Sequence, residues 1–149
     1  MGAATWMLIG TYEHAVDTKG RLFVPAKLRG DLGETFVGTK GVGSCLFIFS
    51  LPEWEKLAER LKQIPLANSA GQGFVRMLYG NAFECQPDKQ GRILIPKTLR
   101  DRIGLESEAV ITGVMTRAEV WPKQVWEQYC ESLDETYDEQ MEALGVLGI

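Results

Sequence analysis

Short apolar runs bounded by turn residues alternate along this chain with longer stretches of helical period. Residues 12–16 and 82–86 read as the first strands. Each leads into Asp-x-x-Gly, where aspartate bonds the backbone ahead and glycine supplies a positive φ. Residues 21–24 and 92–95 continue as strands, and their three consecutive apolar residues predict burial on both faces. Pro25 and Pro96 end those strands and suit the first turn of a short helix. Gly33 and Gly104 then supply helix stops. Further strands are expected at 36–39, 45–49, 109–114 and 118–121.

Two longer helices follow from the 3.6-residue period. Ser50-Leu51-Pro52-Glu53 has capping-box spacing, and Leu51, Trp54, Leu57, Leu61 and Ile64 form an apolar stripe ended by Pro65. Trp126, Tyr129, Leu133, Tyr137, Met141 and Leu144 make a second stripe, closed by Gly145. Between them, residues 65–73 are rich in Gly, Ala and Ser and read as a linker. Ser69 there is expected to cap a short helix over 74–79.

These elements occur twice. Residues 17–29, DTKGRLFVPAKLR, match residues 88–100, DKQGRILIPKTLR, at an offset of 71, with six of thirteen positions identical. The match extends through Tyr12/Phe83, Glu13/Glu84 and Gly33/Gly104. With one inserted residue it reaches Phe49/Trp121 and Trp54/Trp126. Two copies make a duplicated unit rather than a solenoid. One such unit has exposed strand edges, whereas two can pair about a pseudo-two-fold axis and close a small barrel. The expected class is α+β, mainly β: two pseudo-two-fold-related repeats forming a small barrel with added helices. The divisions are 7–64, a linker and short helix at 65–79, 80–130, and an acidic tail at 131–149.

Composition narrows the function. Hydrophobic residues make up 45% and charged residues 24% of 149, which is ordinary for a folded soluble domain. No apolar run approaches the ~18–20 residues of a membrane span. The opening MGAATWMLIG has no basic residue, so no secretory signal is expected, and Trp6 stands where myristoylation wants Ser or Thr. The residues before Met7 stand outside the repeat pattern. Cys45, Cys85 and Cys130 lack metal-ligand spacing and read as small buried hydrophobes. With His14 the single histidine, neither a metal site nor a cofactor is expected. The net charge of −4 is unevenly placed: after Lys123 come seven acids and no base, while the first 123 residues hold 16 bases against 13 acids.

The string D-x-x-G-R-(apolar)₃-P-x-x-L-R resembles the swapped-hairpin DNA-binding module of AbrB-like regulators and MazE-like antitoxins. Two copies at this spacing, each followed by an aromatic-rich helix, resemble the MraZ family. Its paired Asp-x-x-x-Arg motifs stand here as Asp17-Thr18-Lys19-Gly20-Arg21 and Asp88-Lys89-Gln90-Gly91-Arg92. The flanks Gly10-Thr11-Tyr12-Glu13-His14, Gly80-Asn81-Ala82-Phe83-Glu84 and Cys45-Leu46-Phe47-Ile48-Phe49 fit as well. The resemblance implies a sequence-specific DNA-binding repressor at short promoter repeats of the cell-division and cell-wall gene cluster. It also implies a homo-oligomeric ring in the cytoplasm, associated with the nucleoid.

The residues suggest how DNA would be held. Arg21 and Arg92 can pair bidentately with guanine or grip phosphate. Lys19 and Lys89 suit phosphate as point charges. Gln90 can read adenine, and Thr18 can bond a phosphate oxygen. Asp17 and Asp88, which would repel phosphate, are expected to shape the turn and hold the arginine, with Gly20 and Gly91 completing it. Lys27, Arg29, Lys97, Arg100 and Arg102 are divided between ion pairs and phosphate contact. Phe23, Trp54, Trp121 and Trp126 are expected in the core or at subunit contacts rather than as base-stacking platforms.

Two rival classes stay open. An enzyme would need more than His14, whose counterpart in the other copy is Cys85, and no nucleophile elbow or phosphate cradle appears. An antitoxin-like or adaptor module, acting on another protein, would use the acidic C-terminal helix and its apolar stripe.

Overall fold

The computed structural model describes residues 7–148. The readings of a signal, of myristoylation and of the residues before Met7 fall on positions outside the described residues. The first copy supplies β1 (Thr11–Ala15), β2 (Arg21–Phe23), α1 (Ala26–Leu32), β3 (Phe36–Lys40), β4 (Leu46–Ser50) and α2 (Leu51–Leu61). Then comes α3 (Ser69–Gly80). The second copy supplies β5 (Phe83–Cys85), β6 (Arg92–Leu94), α4 (Lys97–Ile103), β7 (Glu108–Val114), β8 (Arg117–Pro122) and α5 (Lys123–Ala143).

The strands form a six-stranded sheet in the order β1-β7-β8-β4-β3-β5 and a two-stranded ribbon, β2-β6. Exchanging each strand for its counterpart in the other copy returns the same order read backwards. The duplication is therefore a pseudo-two-fold arrangement. The first strand of each copy pairs with the third strand of the other, β1 with β7 and β5 with β3. The axis passes between the central register partners Leu22 and Ile93 in the ribbon, and between Phe47 and Glu119 in the β4–β8 ladder. Each is a pair of equivalent positions in the repeat.

The ladders do not close into a ring. Among the described residues β1 and β5 stand at opposite ends of the sheet order, and a single bridge, Val16 to Leu22, joins the end of β1 to the ribbon. The core lies between sheet and ribbon. Leu22, Val24, Ile93 and Ile95 of the ribbon region meet Phe36, Leu46, Ile48, Ile111 and Val120 of the sheet, with Leu28 and Leu99 from the short helices. A second cluster on the other sheet face joins Cys45, Val110 and Trp121, covered by Val125 and Trp126 of α5.

Several expectations change. The ribbon is buried on one face only: Leu22 and Ile93 are buried, Phe23 is half-buried, and Leu94 is 61% exposed. The strand period of two puts Phe23 and Leu94 beside the arginines instead. The predicted linker is shorter, because α3 begins at Ser69 rather than at residue 74. Its cap is Asn68, whose side chain accepts from the Gly71 N–H. Pro25 and Pro96 sit at the N-cap position, not inside the first turn. Helix α2 ends at Leu61, ahead of Pro65. Helix α5 ends at Ala143, and Gly145 falls in a single 3₁₀ turn, Leu144–Leu147. The division after residue 130 falls inside α5. Ser50 does accept from the Glu53 N–H, as capping-box spacing requires.

Candidate nucleic-acid interface

Each turn is organised by one carboxylate. Asp17 Oδ1 accepts from the backbone N–H groups of Lys19 (3.0 Å) and Arg21 (2.9 Å), and Oδ2 accepts from Arg21 Nε at 2.6 Å. Asp88 repeats the pattern: Oδ1 accepts from Gln90 and Arg92 N–H at 2.9 Å each, and Oδ2 from Arg92 Nε at 3.0 Å. The glycines close the turns. Gly20 (φ 90°) donates to Asp17 O, and Gly91 (φ 80°) to Asp88 O, both at 2.9 Å. Positive φ at both positions is the reason for glycine there.

The backbone N–H of Arg21 is the main reason the Asp17 carboxyl is held down, at about 2. Asp88 is lowered in the same direction, first by the N–H of Arg92. Both carboxylates are therefore ionised at neutral pH. Each binds the Nε of its own arginine and leaves that guanidinium's Nη groups out of the bond.

Register places the two arginines on one face. Arg21 lies opposite Leu94 and Phe23 opposite Arg92, while Leu22 and Ile93 point to the core. Arg21 and Arg92 are thus diagonal neighbours on the outer face of the ribbon. Arg92 Nη1 also approaches Asp17 Oδ2 at 3.8 Å, so Asp17 touches the arginines of both copies. The arginine side chains are about one-third exposed, at 34% and 29%. Partly fixed guanidiniums of this kind lose less freedom on meeting a ligand than free ones do.

Thr18, Lys19, Lys89 and Gln90 are exposed around these arginines. Their side chains have no hydrogen-bond or ion-pair partner among the described residues. The short-helix cations divide. Arg29 Nε donates to Val24 O at 2.8 Å, and Arg100 Nε to Ile95 O at 2.9 Å. Lys97 pairs with Asp101 at 2.8 Å. Arg102 Nη1 lies 3.0 Å from Met77 Sδ.

Sequence reasoning missed two features of this face. One is the apolar pair Phe23 and Leu94, hidden by reading each apolar run as wholly buried. Phe23 is not in the core: His14 meets it edge-on with centroids 4.9 Å apart, and Arg29 lies over its ring at 5.6 Å. The other is the placement of Arg29 and Arg100, which touch the opposite copy. Their matched positions in the repeat were the available signal. Trp54 packs on Phe49 and Tyr79, and Trp126 on Trp121, away from the ribbon.

Other chemistry has little support. Burial pushes the Cys45 thiol up to about 11 and the Cys85 thiol to about 12, so neither is a ready nucleophile at neutral pH. Cys130, half-buried on α5, is raised as well, chiefly by desolvation. Among the described residues no group of three or more His, Cys, Asp or Glu is placed to hold a metal ion. No described helix is long and apolar enough to cross a membrane.

A family model described as MraZ protein matches the chain twice in succession, over residues 7–77 and 78–145. Curated relatives carry the name Transcriptional regulator MraZ. One from Alkaliphilus oremlandii is 50% identical over 143 residues, covering 96% of this chain and all of that protein. One from Caldanaerobacter subterraneus subsp. tengcongensis is 49% identical over 138 residues, covering 93% and 96%. One from Thermoanaerobacter pseudethanolicus is 47% identical over 143 residues, covering 96% and all of it. With two consecutive family matches, and relatives at about half identity along almost their whole length, this chain belongs to the MraZ family.

Proposed function

We propose that this chain is a sequence-specific DNA-binding transcriptional regulator. In this reading it represses from short promoter repeats of the cell-division and cell-wall gene cluster, as a homo-oligomeric ring on the nucleoid. The regulatory role rests on the relatives' shared name, Transcriptional regulator MraZ, which is not that of an enzyme family. The DNA reading is carried by one observation: two aspartate-anchored arginines lie diagonally on the outer face of the ribbon, ringed by Lys19, Lys89, Thr18 and Gln90. Arginines oriented in this way suit guanine O6 and N7 or a phosphate, and the lysines add charge that attracts any backbone. We take ribbon and sheet together as the swapped-hairpin barrel that presents both turns.

One subunit offers few contacts. A ring presenting several ribbons would engage repeats spaced by one helical turn, roughly 10–10.5 bp, on one DNA face. Linked binding events raise apparent affinity without new contacts. A mobility-shift titration against the DNA upstream of the gene, with competitor and varied salt, tests the reading. A specific wild-type shift, lost in the Arg21→Ala/Arg92→Ala double variant of unchanged size and fold, is the expected result. No specific shift at low salt would overturn it.

The antitoxin-like or adaptor reading draws on one feature. Helix α5 carries its acids beside the exposed apolar side chains Tyr137 (59% exposed) and Met141 (40% exposed).

A further inference from the structure

The two turns are not independent, because each is completed by an arginine from the other copy. A Cβ built on Gly20 would stand 2.5 Å from Cζ and Nε of Arg100, and one on Gly91 would stand 2.9 Å from Cζ of Arg29. The guanidinium of each short helix thus packs against the bare glycine of the opposite turn, and at Gly91 the Phe23 ring edge shares that space, 3.0 Å from the same Cβ position. Its Nε is anchored on a carbonyl of its own copy, Arg100 on Ile95 O and Arg29 on Val24 O. Those carbonyl residues donate across the ribbon: Ile95 N–H to Gly20 O, and Val24 N–H to Gly91 O, both at 2.9 Å. The chain of contacts runs from Arg100 through Ile95 to Gly20, and from Arg29 through Val24 to Gly91.

We propose that Arg29 and Arg100 are positioning residues acting across the pseudo-two-fold axis: Arg100 sets the Asp17–Arg21 turn, and Arg29 sets the Asp88–Arg92 turn. A glycine at positive φ, preceded by an exposed residue, would otherwise be free to open and let its arginine swing away. The guanidinium plate removes that freedom by filling the space above the glycine. The anchored Nε fixes the plate's height through the same residue that bonds the glycine carbonyl. Lysine cannot substitute fully, since an ammonium offers a point contact rather than a plane. The two copies differ in one respect. Arg29 also lies over Phe23, whose counterpart is Leu94, so the second turn is held by an aromatic contact that the first lacks.

This inference rests on the DNA reading for its purpose but not for its geometry, and the test separates the two. Backbone amide hydrogen exchange would be followed residue by residue in Arg100→Ala, Arg29→Ala and the milder Arg100→Lys, without DNA. Arg100→Ala should speed exchange at Lys19 to Arg21 by about tenfold or more, while Gln90 to Arg92 stay within about twofold. Arg29→Ala should do the reverse. Arg100→Lys, which keeps the charge and a donor, should fall between and answers the case in which alanine fails to fold. Exchange that rises in the variant's own copy, in both turns equally, or in neither would overturn the proposal. DNA affinity of the same variants then reports on purpose. Arg100→Ala should weaken binding about as much as Arg21→Ala, with little further loss when the two are combined. A wild type that binds no DNA would remove the DNA reading and leave the exchange pattern to decide the positioning alone.

Discussion

Leu22 and Ile93 face each other as register partners at the centre of the β2–β6 ribbon, and they are the same position of the two repeats. Neither is more than 2% exposed. The apolar pair on the axis therefore joins the core to the ribbon whose other face carries both arginines. The stability of the ribbon and the side on which the arginines stand are linked through this pair.

Shortening either partner should show this. Leu22→Ala and Ile93→Ala should each cost roughly 2–5 kcal/mol, the usual range for such a cavity. The double variant should lose less than the sum, since the second truncation enlarges a cavity already made. Denaturant midpoints of the three variants measure both quantities, and full additivity would place the two side chains in separate environments.

On DNA, Arg21→Ala and Arg92→Ala should each lose about 1–3 kcal/mol if the arginine reads a base, with the loss concentrated on the preferred sequence. Lys19→Ala and Lys89→Ala should weaken specific and non-specific binding alike and lower the salt slope by about one unit each. Titrations at several salt concentrations distinguish base reading from phosphate grip.

Asp17 links stability to pH. Its carboxyl is held at about 2 against an ordinary 3.8, chiefly by the N–H of Arg21. The native state binds this proton more weakly than the unfolded chain does. The contribution is therefore complete above about pH 4 and is lost as pH falls toward 2. Asp17→Asn should flatten that part of the stability–pH curve, and Asp88→Asn should act in the same direction. Equilibrium unfolding between pH 2 and 6 is the measurement, with an unchanged slope counting against the turn as the cause.

Truncation after Tyr129 removes six acids and no base from a chain of net charge −4, leaving +2. Helix α5 buries no residue fully, and its aromatic contacts with Trp121 come from Trp126 and Tyr129, which are retained. The fold should persist. DNA affinity at low salt should rise if the tail acts only by repulsion. Loss of oligomerisation on size-exclusion chromatography would instead assign the exposed apolar side of α5 to assembly.

The number of promoter repeats provides a separate test. Affinity should climb steeply from one repeat to several and fall with salt. Equal affinity for one repeat and for the full array would end the multivalent part of the proposal.

Much of this was legible from residue order. Glycine after Asp-x-x predicted each turn, because few other residues adopt positive φ there. The offset of 71 predicted a two-fold arrangement, and Gly33 and Gly104 marked the ends of α1 and α4. Harder to read were the helix start at Ser69, where Asn68 rather than Ser69 provides the cap, and the outward side of the apolar runs.

Local chemistry was thus written in the chain: the turns, their aspartate anchors, the Ser50 cap and the duplication all depend on residues within a few positions of one another, or on simple recurrence. The partners were not. That β1 crosses to β7 and β5 to β3, that Leu94 shares the arginine face, that Asp17 meets Arg92, and that Arg100 lies on Gly20 all join residues far apart in sequence. No local pattern encodes such contacts. They arise when each copy's unpaired edge and apolar face find their complement in the other, and that choice is made by burial across the whole molecule.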